Sequence, residues 1–159
     1  MKALSLTQPW ATAMALGLKE WETRSWPTGF RGIVAIHAAK GFPSWAKRFA
    51  RDERPSYSLM PSVEEMPLGR IVAVGEIVEC RTTESIRSEL SALELKWGDY
   101  HAGRYAYKFN LLRMIVPPVP AKGALGFWTI PDDIWQPIQA QLTVPLANLM
   151  GTVRLERRW

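Results

Sequence analysis

Hydrophobic and polar positions change period several times along the chain, and each change marks an element. Leu4-Ser5-Leu6 alternates as a short strand does. Pro9 suits the first turn of a helix, with Thr7 or Gln8 as its cap. Residues 10–16 are good helix formers, and Gly17 is a natural stop. Residues 21–26 alternate again, with Trp21, Thr23 and Ser25 on one side and Glu22, Arg24 and Trp26 on the other. Gly29 and Gly32 mark turns before an apolar strand over residues 33–37. A second helix is predicted over residues 43–51. Prolines and polar residues predict a long surface loop over residues 53–67. Residues 69–80 read as the clearest strand, with Gly75 marking a bulge or bend. Ile86, Leu90, Leu93 and Trp97 fall at helical spacing and predict an amphipathic helix over residues 83–96. Residues 104–116 alternate as a long strand, which the prolines of residues 117–120 should end. A last strand is predicted over residues 123–130, and Asp132 caps a short helix. Bent strands with helices in their connections predict an α+β fold, a small closed or nearly closed β-barrel. The expected division is one domain over residues 1–140 and an appendage over residues 141–159, since the tail lacks a clear pattern.

Composition narrows the class. A hydrophobic fraction of 47% supports a real core, and the one cysteine, Cys80, forms no internal disulfide. With no secretory pattern at Met1-Lys2-Ala3-Leu4 and no apolar run near the ~20 residues that span a bilayer, a cytoplasmic location is expected. The net charge of +5 is uneven: residues 1–54 carry +5, residues 55–100 carry −4 and residues 101–159 carry +4. Basic ends around an acidic middle give a basic face suited to an acidic partner such as a phosphate backbone. Arginine outnumbers lysine 13 to 7, and its planar fork suits phosphate and base edges. Eight tryptophans supply core and, at one or two positions, platforms for bases.

The densest chemistry lies between Gly17 and Trp26. Lys19 follows the helix stop and is either a surface lysine or a cleft cation that binds phosphate. Glu22 and Arg24 share a strand face, as a structural ion pair or as site residues. In the second case Glu22 meets a base amino group or acts as a general base, and Arg24 holds phosphate or orients Glu22. Gln8 and Trp10 sit at a helix start, where amides favour anions. His37 ends a buried strand, and Lys40 follows in a loop. Arg104 and Tyr105 open another strand and can hold phosphate and stack a base. Two histidines and one cysteine without paired spacing argue against zinc. No cofactor is evident, although Glu22 and substrate phosphates could hold magnesium. No P-loop and no Gly-x-Ser-x-Gly elbow occurs.

Several segments together resemble the ASCH domain family. They are Leu4-Ser5-Leu6-Thr7-Gln8-Pro9-Trp10-Ala11, Gly17-x-Lys19-x-x-Glu22-x-Arg24, the run from Gly32 to His37-Ala38-Ala39-Lys40, Gly69-Arg70-Ile71-Val72-Ala73-Val74-Gly75-Glu76, and Gly103-Arg104-Tyr105-Ala106. A closing segment holds Lys122-Gly123 and Gly126-Phe127-Trp128. The resemblance covers roughly residues 3–135. It implies a PUA-like barrel whose signature motif lines a cleft for nucleic acid, usually RNA. Some members resemble ribonucleases on single-stranded RNA, using a lysine, a tyrosine and a serine; Lys40, Tyr105 and Ser5 are the candidates here. A shorter branch hydrolyses the acetyl amide of N4-acetylcytidine with a lysine, a threonine and a glutamate. Lys19 matches that lysine, but Glu22 stands where the threonine falls. The expected function is therefore binding of single-stranded RNA, with ribonuclease activity as an extension. The alternatives are an amidohydrolase on a modified nucleoside and a non-catalytic interaction module.

Overall fold

The computed structural model describes residues 1–55 and 59–143, the side chain of Leu112 aside. A six-stranded mixed sheet has the order β2-β5-β4-β3-β1-β6. The strands are β1 (Lys2–Leu6), β2 (Trp21–Arg24), β3 (Gly32–Ala38), β4 (Arg70–Thr82), β5 (Tyr105–Pro120) and β6 (Phe127–Thr129). Strands β1 and β3 run parallel, with Ser5 opposite His37, and the other pairings are antiparallel.

The sheet curls until its two edges nearly meet. Trp26, just after edge strand β2, packs edge-on against Phe127 of the opposite edge strand β6, with ring centroids 5.7 Å apart. Arg24 of β2 donates to the Ser5 carbonyl of β1 at 2.7 Å. Side chains thus close the barrel where no backbone ladder does. Leu4, Leu6, Val34, Ile36, Tyr107 and Phe109 fill its interior. Helix α1 (Trp10–Ala15) plugs one side through Ala11, Met14 and Ala15. The long β4 and β5 can wrap because their ladder slips register at Val74/Gly75 and at two further points.

Three sequence expectations are corrected. The helix expected over residues 83–96 is broken into α3 (Thr83–Ile86), a 3-10 turn (Arg87–Glu89) and α4 (Ala92–Lys96). Leu90 is extended, and Ser91 caps a new helix by accepting from the Glu94 amide at 3.1 Å. The prolines of residues 117–120 do not end β5. Past Lys108 the β2 side of β5 is unpaired, and Pro117 and Pro118 fall where its ladder to β4 slips register, between the Ala73–Met114 and Ile71–Val119 pairs, so their missing N–H groups are tolerated. Residues 53–67 contain no helix or strand among those described, but they are not merely surface. Met60, Val63 and Met66 are buried with Ala13, Ala50 and Trp97.

Helix α2 (Ser44–Asp52) follows β3, and α5 (Asp132–Thr143) lies against β5. Gln141 of α5 accepts from the Val116 amide at 2.8 Å, so this helix continues past residue 140. The remainder of the expected appendage, residues 144–159, lies outside the described residues. No described helix is long and apolar enough to cross a membrane.

Candidate nucleic-acid interface

A cleft of about 670 Å³ opens where β2, the start of α1, and residues 96–104 come together. Lys19, Glu22, Arg24 and Arg104 line it, as do Ser5 and Trp10. The sequence therefore names six of its lining residues. It also brings in Trp26, Trp45, Trp97, Lys96 and Asp99.

Glu22 and Arg24 face the same way because strand positions two apart share a face. Their side chains meet at 3.0 Å and are 13% and 23% exposed, respectively. Burial pushes the Glu22 carboxyl above its ordinary value; Arg24, and then Lys19 and Arg104, pull in the opposite direction without cancelling it. Arg24 is anchored through Nη2 to Ser5, while its buried Nε has no hydrogen-bond partner. Arg104 donates to the Asp99 and Thr23 carbonyls at 3.1 and 3.3 Å, and lies 3.3 Å from the Asp99 carboxylate. The hydrogen bond from His101 holds the Asp99 carboxyl below its ordinary value.

Lys19 is not a free arm. It is 3% exposed, and its ammonium donates to Glu94 and, at 3.3 Å, to the Tyr100 hydroxyl. Tyr100 in turn donates to Glu94 at 2.6 Å, and the other Glu94 oxygen accepts from the Glu20 amide at 2.9 Å. Burial beside that carboxylate pushes the Tyr100 phenol far up, so it stays protonated. Gly98 makes this folding-back possible: a Cβ there would stand 2.3 Å from Tyr100 Cε2 and 3.0 Å from Lys19 Nζ. Sequence reasoning missed both Glu94 and Tyr100. One signal was present, because Ser91-x-x-Glu94 has capping-box spacing. Here the glutamate turns away from its cap to meet Lys19.

The aromatic wall is built by packing. Trp10 stacks on Phe49 of α2 at 5.4 Å, lies 5.6 Å from Trp45, and donates to the Trp97 carbonyl at 2.6 Å. Trp45 remains 60% exposed at the rim. Trp97 is buried, and its indole N–H has no hydrogen-bond partner.

Four expected site residues fall elsewhere. Gln8 is wholly buried; it accepts from the Thr12 amide at 3.0 Å and donates to the Pro67 carbonyl at 2.8 Å. The N-cap of α1 is Pro9 rather than the expected Thr7 or Gln8, but the Gln8 oxygen still occupies a first-turn amide that an anion would need. Tyr105 is half-buried against the barrel core and does not line the cleft. His37 and Lys40 line a second cleft, of about 1030 Å³, on the other side of Ser5. Ser5 Oγ lies 3.0 Å from His37 Nδ1, and His37 Nε2 lies 3.1 Å from the Ala121 carbonyl. A carbonyl can only accept, so Nε2 carries the proton, and Nδ1 shares the single Ser5 hydroxyl proton with the Ala124 carbonyl, 3.1 Å from the same Oγ. Burial keeps the His37 imidazole below its ordinary value, which favours this neutral form.

The Glu22 carboxylate, expected to share magnesium with substrate phosphates, is paired with Arg24, and Asp99 with Arg104 and His101. Among the described residues no group of three or more His, Cys, Asp or Glu could hold a metal ion.

Comparison with solved structures places the fold. The chain is similar to an ASCH protein from Zymomonas mobilis, with a TM-score of 0.54 at 14% identity, covering 87% of this chain and 93% of that one. A serine-to-alanine variant of the Zymomonas mobilis protein gives 0.53 at 13% identity, covering 88% and 94%. A tyrosine-to-phenylalanine variant gives 0.53 at 14% identity, covering 87% and 96%. At these identities the likeness is one of fold. No curated protein matches the chain. The ASCH domain model matches residues 4–117, a stretch that runs from within β1 through most of β5 and holds the residues lining the cleft, and the chain belongs to the ASCH domain family.

Proposed function

We propose that this protein binds single-stranded RNA by taking a base into the cleft beside Glu22. The observation that carries this reading is the composition of the cleft, where Trp10, Trp26, Trp45 and Trp97 stand with Arg24 and Arg104 around the Glu22 carboxylate. Rings and guanidinium planes stack unpaired bases. The guanidinium groups of Arg24 and Arg104 attract phosphate. Glu22 repels phosphate and so belongs to the base edge, where it accepts from an exocyclic amino group.

The test is a binding titration followed by tryptophan fluorescence, with single-stranded RNA, single-stranded DNA and duplex RNA across a salt series. Single-stranded RNA should bind best, and log K should fall linearly with log salt at about 0.7 per phosphate contact. A flat salt response, or preference for the duplex, would refute the reading.

A second reading, RNA cleavage in the same cleft, is favoured by the upward-shifted Glu22 carboxyl, which has the character of a general base. In that step Glu22 takes the proton of a ribose 2′-hydroxyl, and the 2′-oxygen attacks phosphorus. The bond to the 5′-oxygen breaks, the leaving oxygen takes a proton from water, and a 2′,3′-cyclic phosphate remains. Arg24 and Arg104 would stabilise the phosphoryl charge. Cleavage of RNA that Glu22→Gln abolishes, with 2′-deoxy substrates inert, is the expected result. Full activity of the variant would exclude Glu22 as the base.

A further inference from the structure

Ser5 lines both clefts. Its backbone carbonyl holds Arg24 on the first side, and its hydroxyl meets His37 on the second. The ridge between the clefts is therefore a single strand, β1, and adjacent strands lie only about 4.8 Å apart. The second cleft is also closely built. A Cβ on Gly123 would stand 2.4 Å from His37 Cε1 and 2.7 Å from Ser5 Oγ, so residues 121–124 lie directly on the serine–histidine pair. The Trp128 indole N–H donates to the same Ser5 Oγ at 3.1 Å and fixes it from below.

The lining of the second cleft includes two lysines, Lys40 and Lys122, both exposed, and no carboxylate. Its remaining surface is largely apolar, with Leu68, Leu125 and Ile134. Leu125 is 98% exposed. A cationic, acid-free trough with apolar flanks matches a nucleic-acid strand, whose phosphates seek the lysines and whose bases can rest on the apolar side. The first cleft has the complementary make-up: it holds the carboxylate that reads a base.

We propose that the second cleft is the continuation of the strand-binding path: a single strand whose base enters the first cleft crosses the Ser5 ridge, and Lys40 and Lys122 hold the phosphates of its neighbouring nucleotides. This rests on the reading of the first cleft given above. Ser5 and His37 form the floor of the crossing, with the imidazole held neutral, so that the ridge adds no charge of its own.

The experiment compares a nucleoside monophosphate with an eight-nucleotide single-stranded RNA, each titrated against the parent protein and a Lys40→Ala/Lys122→Ala variant at several salt concentrations. The octamer should bind the variant about tenfold more weakly at low salt, and its salt slope should fall by about 1.4, two contacts at about 0.7 each. Affinity for the monophosphate should be unchanged, which also shows that the variant is folded. If the octamer binds parent and variant alike while the monophosphate binds both, the extension is overturned and the first cleft stands. If neither ligand binds the parent protein, the first-cleft reading fails and the extension with it. A monophosphate affinity that falls as much as the octamer's would place the lysines in the first site and also overturn the proposal.

Discussion

Replacing Glu94 with glutamine should be among the most costly isosteric changes this chain can accept. The Lys19 and Glu94 side chains are 1% and 8% exposed, and the carboxylate also serves Tyr100 and the Glu20 amide. Glu94→Gln keeps the shape and one acceptor oxygen but leaves the Lys19 ammonium buried without its counter-charge. Breaking a buried ion pair in this way costs about 3–5 kcal/mol. For a chain of this size each kcal/mol moves Tm by roughly 2–4 °C, so the expected loss is about 6–20 °C. Urea unfolding followed by tryptophan fluorescence gives the free energy, and calorimetry the midpoint. The double variant Lys19→Met/Glu94→Leu removes both charges and should recover part of the loss, since the Tyr100 hydroxyl and the Glu20 amide still lose their acceptor. A Glu94→Gln protein within 1 kcal/mol of the parent (about the spread of ordinary surface changes), or a double variant as unstable as the single, would refute the reasoning.

Other positions give independent outcomes. Burial holds the Glu22 carboxyl above its ordinary 4.5, so the stability of its neutral form is complete below that value and is lost as pH rises through the folded-state value. Glu22→Gln should therefore gain Tm relative to the parent as pH is raised from about 4 to 8; a constant or falling difference contradicts the shift. Trp45→Ala, at a 60% exposed rim position, should leave Tm unchanged and weaken single-stranded RNA by about 1–3 kcal/mol, the worth of one stacked base. Gly98→Ala drives a methyl group to within 2.3 Å of the Tyr100 ring. It should cost about 1–3 kcal/mol in urea unfolding, and an unchanged midpoint would show that the Lys19–Glu94–Tyr100 cluster is not tightly packed.

The strands were legible because their pattern is local. Alternation from Trp21 to Trp26 placed Glu22 and Arg24 on one face, and the pair does meet. The partners of Lys19 were not legible, because Glu94 and Tyr100 lie 75 and 81 residues away. Their positions depend on Ser91 restarting a helix where apolar spacing alone predicts continuity. Prolines misled the reading of β5 because their effect depends on whether the strand has a neighbour there, and pairing is a property of the sheet. Lys40 was expected in the same nucleic-acid cleft as Lys19, since both belong to segments that carry the family resemblance. The parallel pairing of β1 with β3 instead puts Lys40 beyond Ser5.

The two carboxylates near Lys19 differ in how many donors they meet, and that difference predicts a proton count. Glu94 accepts from Lys19, Tyr100 and the Glu20 amide. Glu22 has the Arg24 guanidinium as its ion-pair partner, and burial takes from it the water that an exposed carboxylate would keep. A base amino group entering the cleft would give Glu22 the donor it lacks. Such a bond favours the ionised form, so binding should lower the Glu22 pKa and release up to one proton per site when the pH lies near its raised value. Calorimetric titration of a cytidine- or adenosine-containing ligand in buffers of different ionisation enthalpy measures that release. The parent should show it at pH values around the raised Glu22 pKa and lose it well above them, where the carboxyl is already ionised, and Glu22→Gln should show none. Binding heats that do not depend on the buffer in the parent protein, or a release that survives the substitution, would remove Glu22 from the base edge and return it to the role of a structural partner for Arg24.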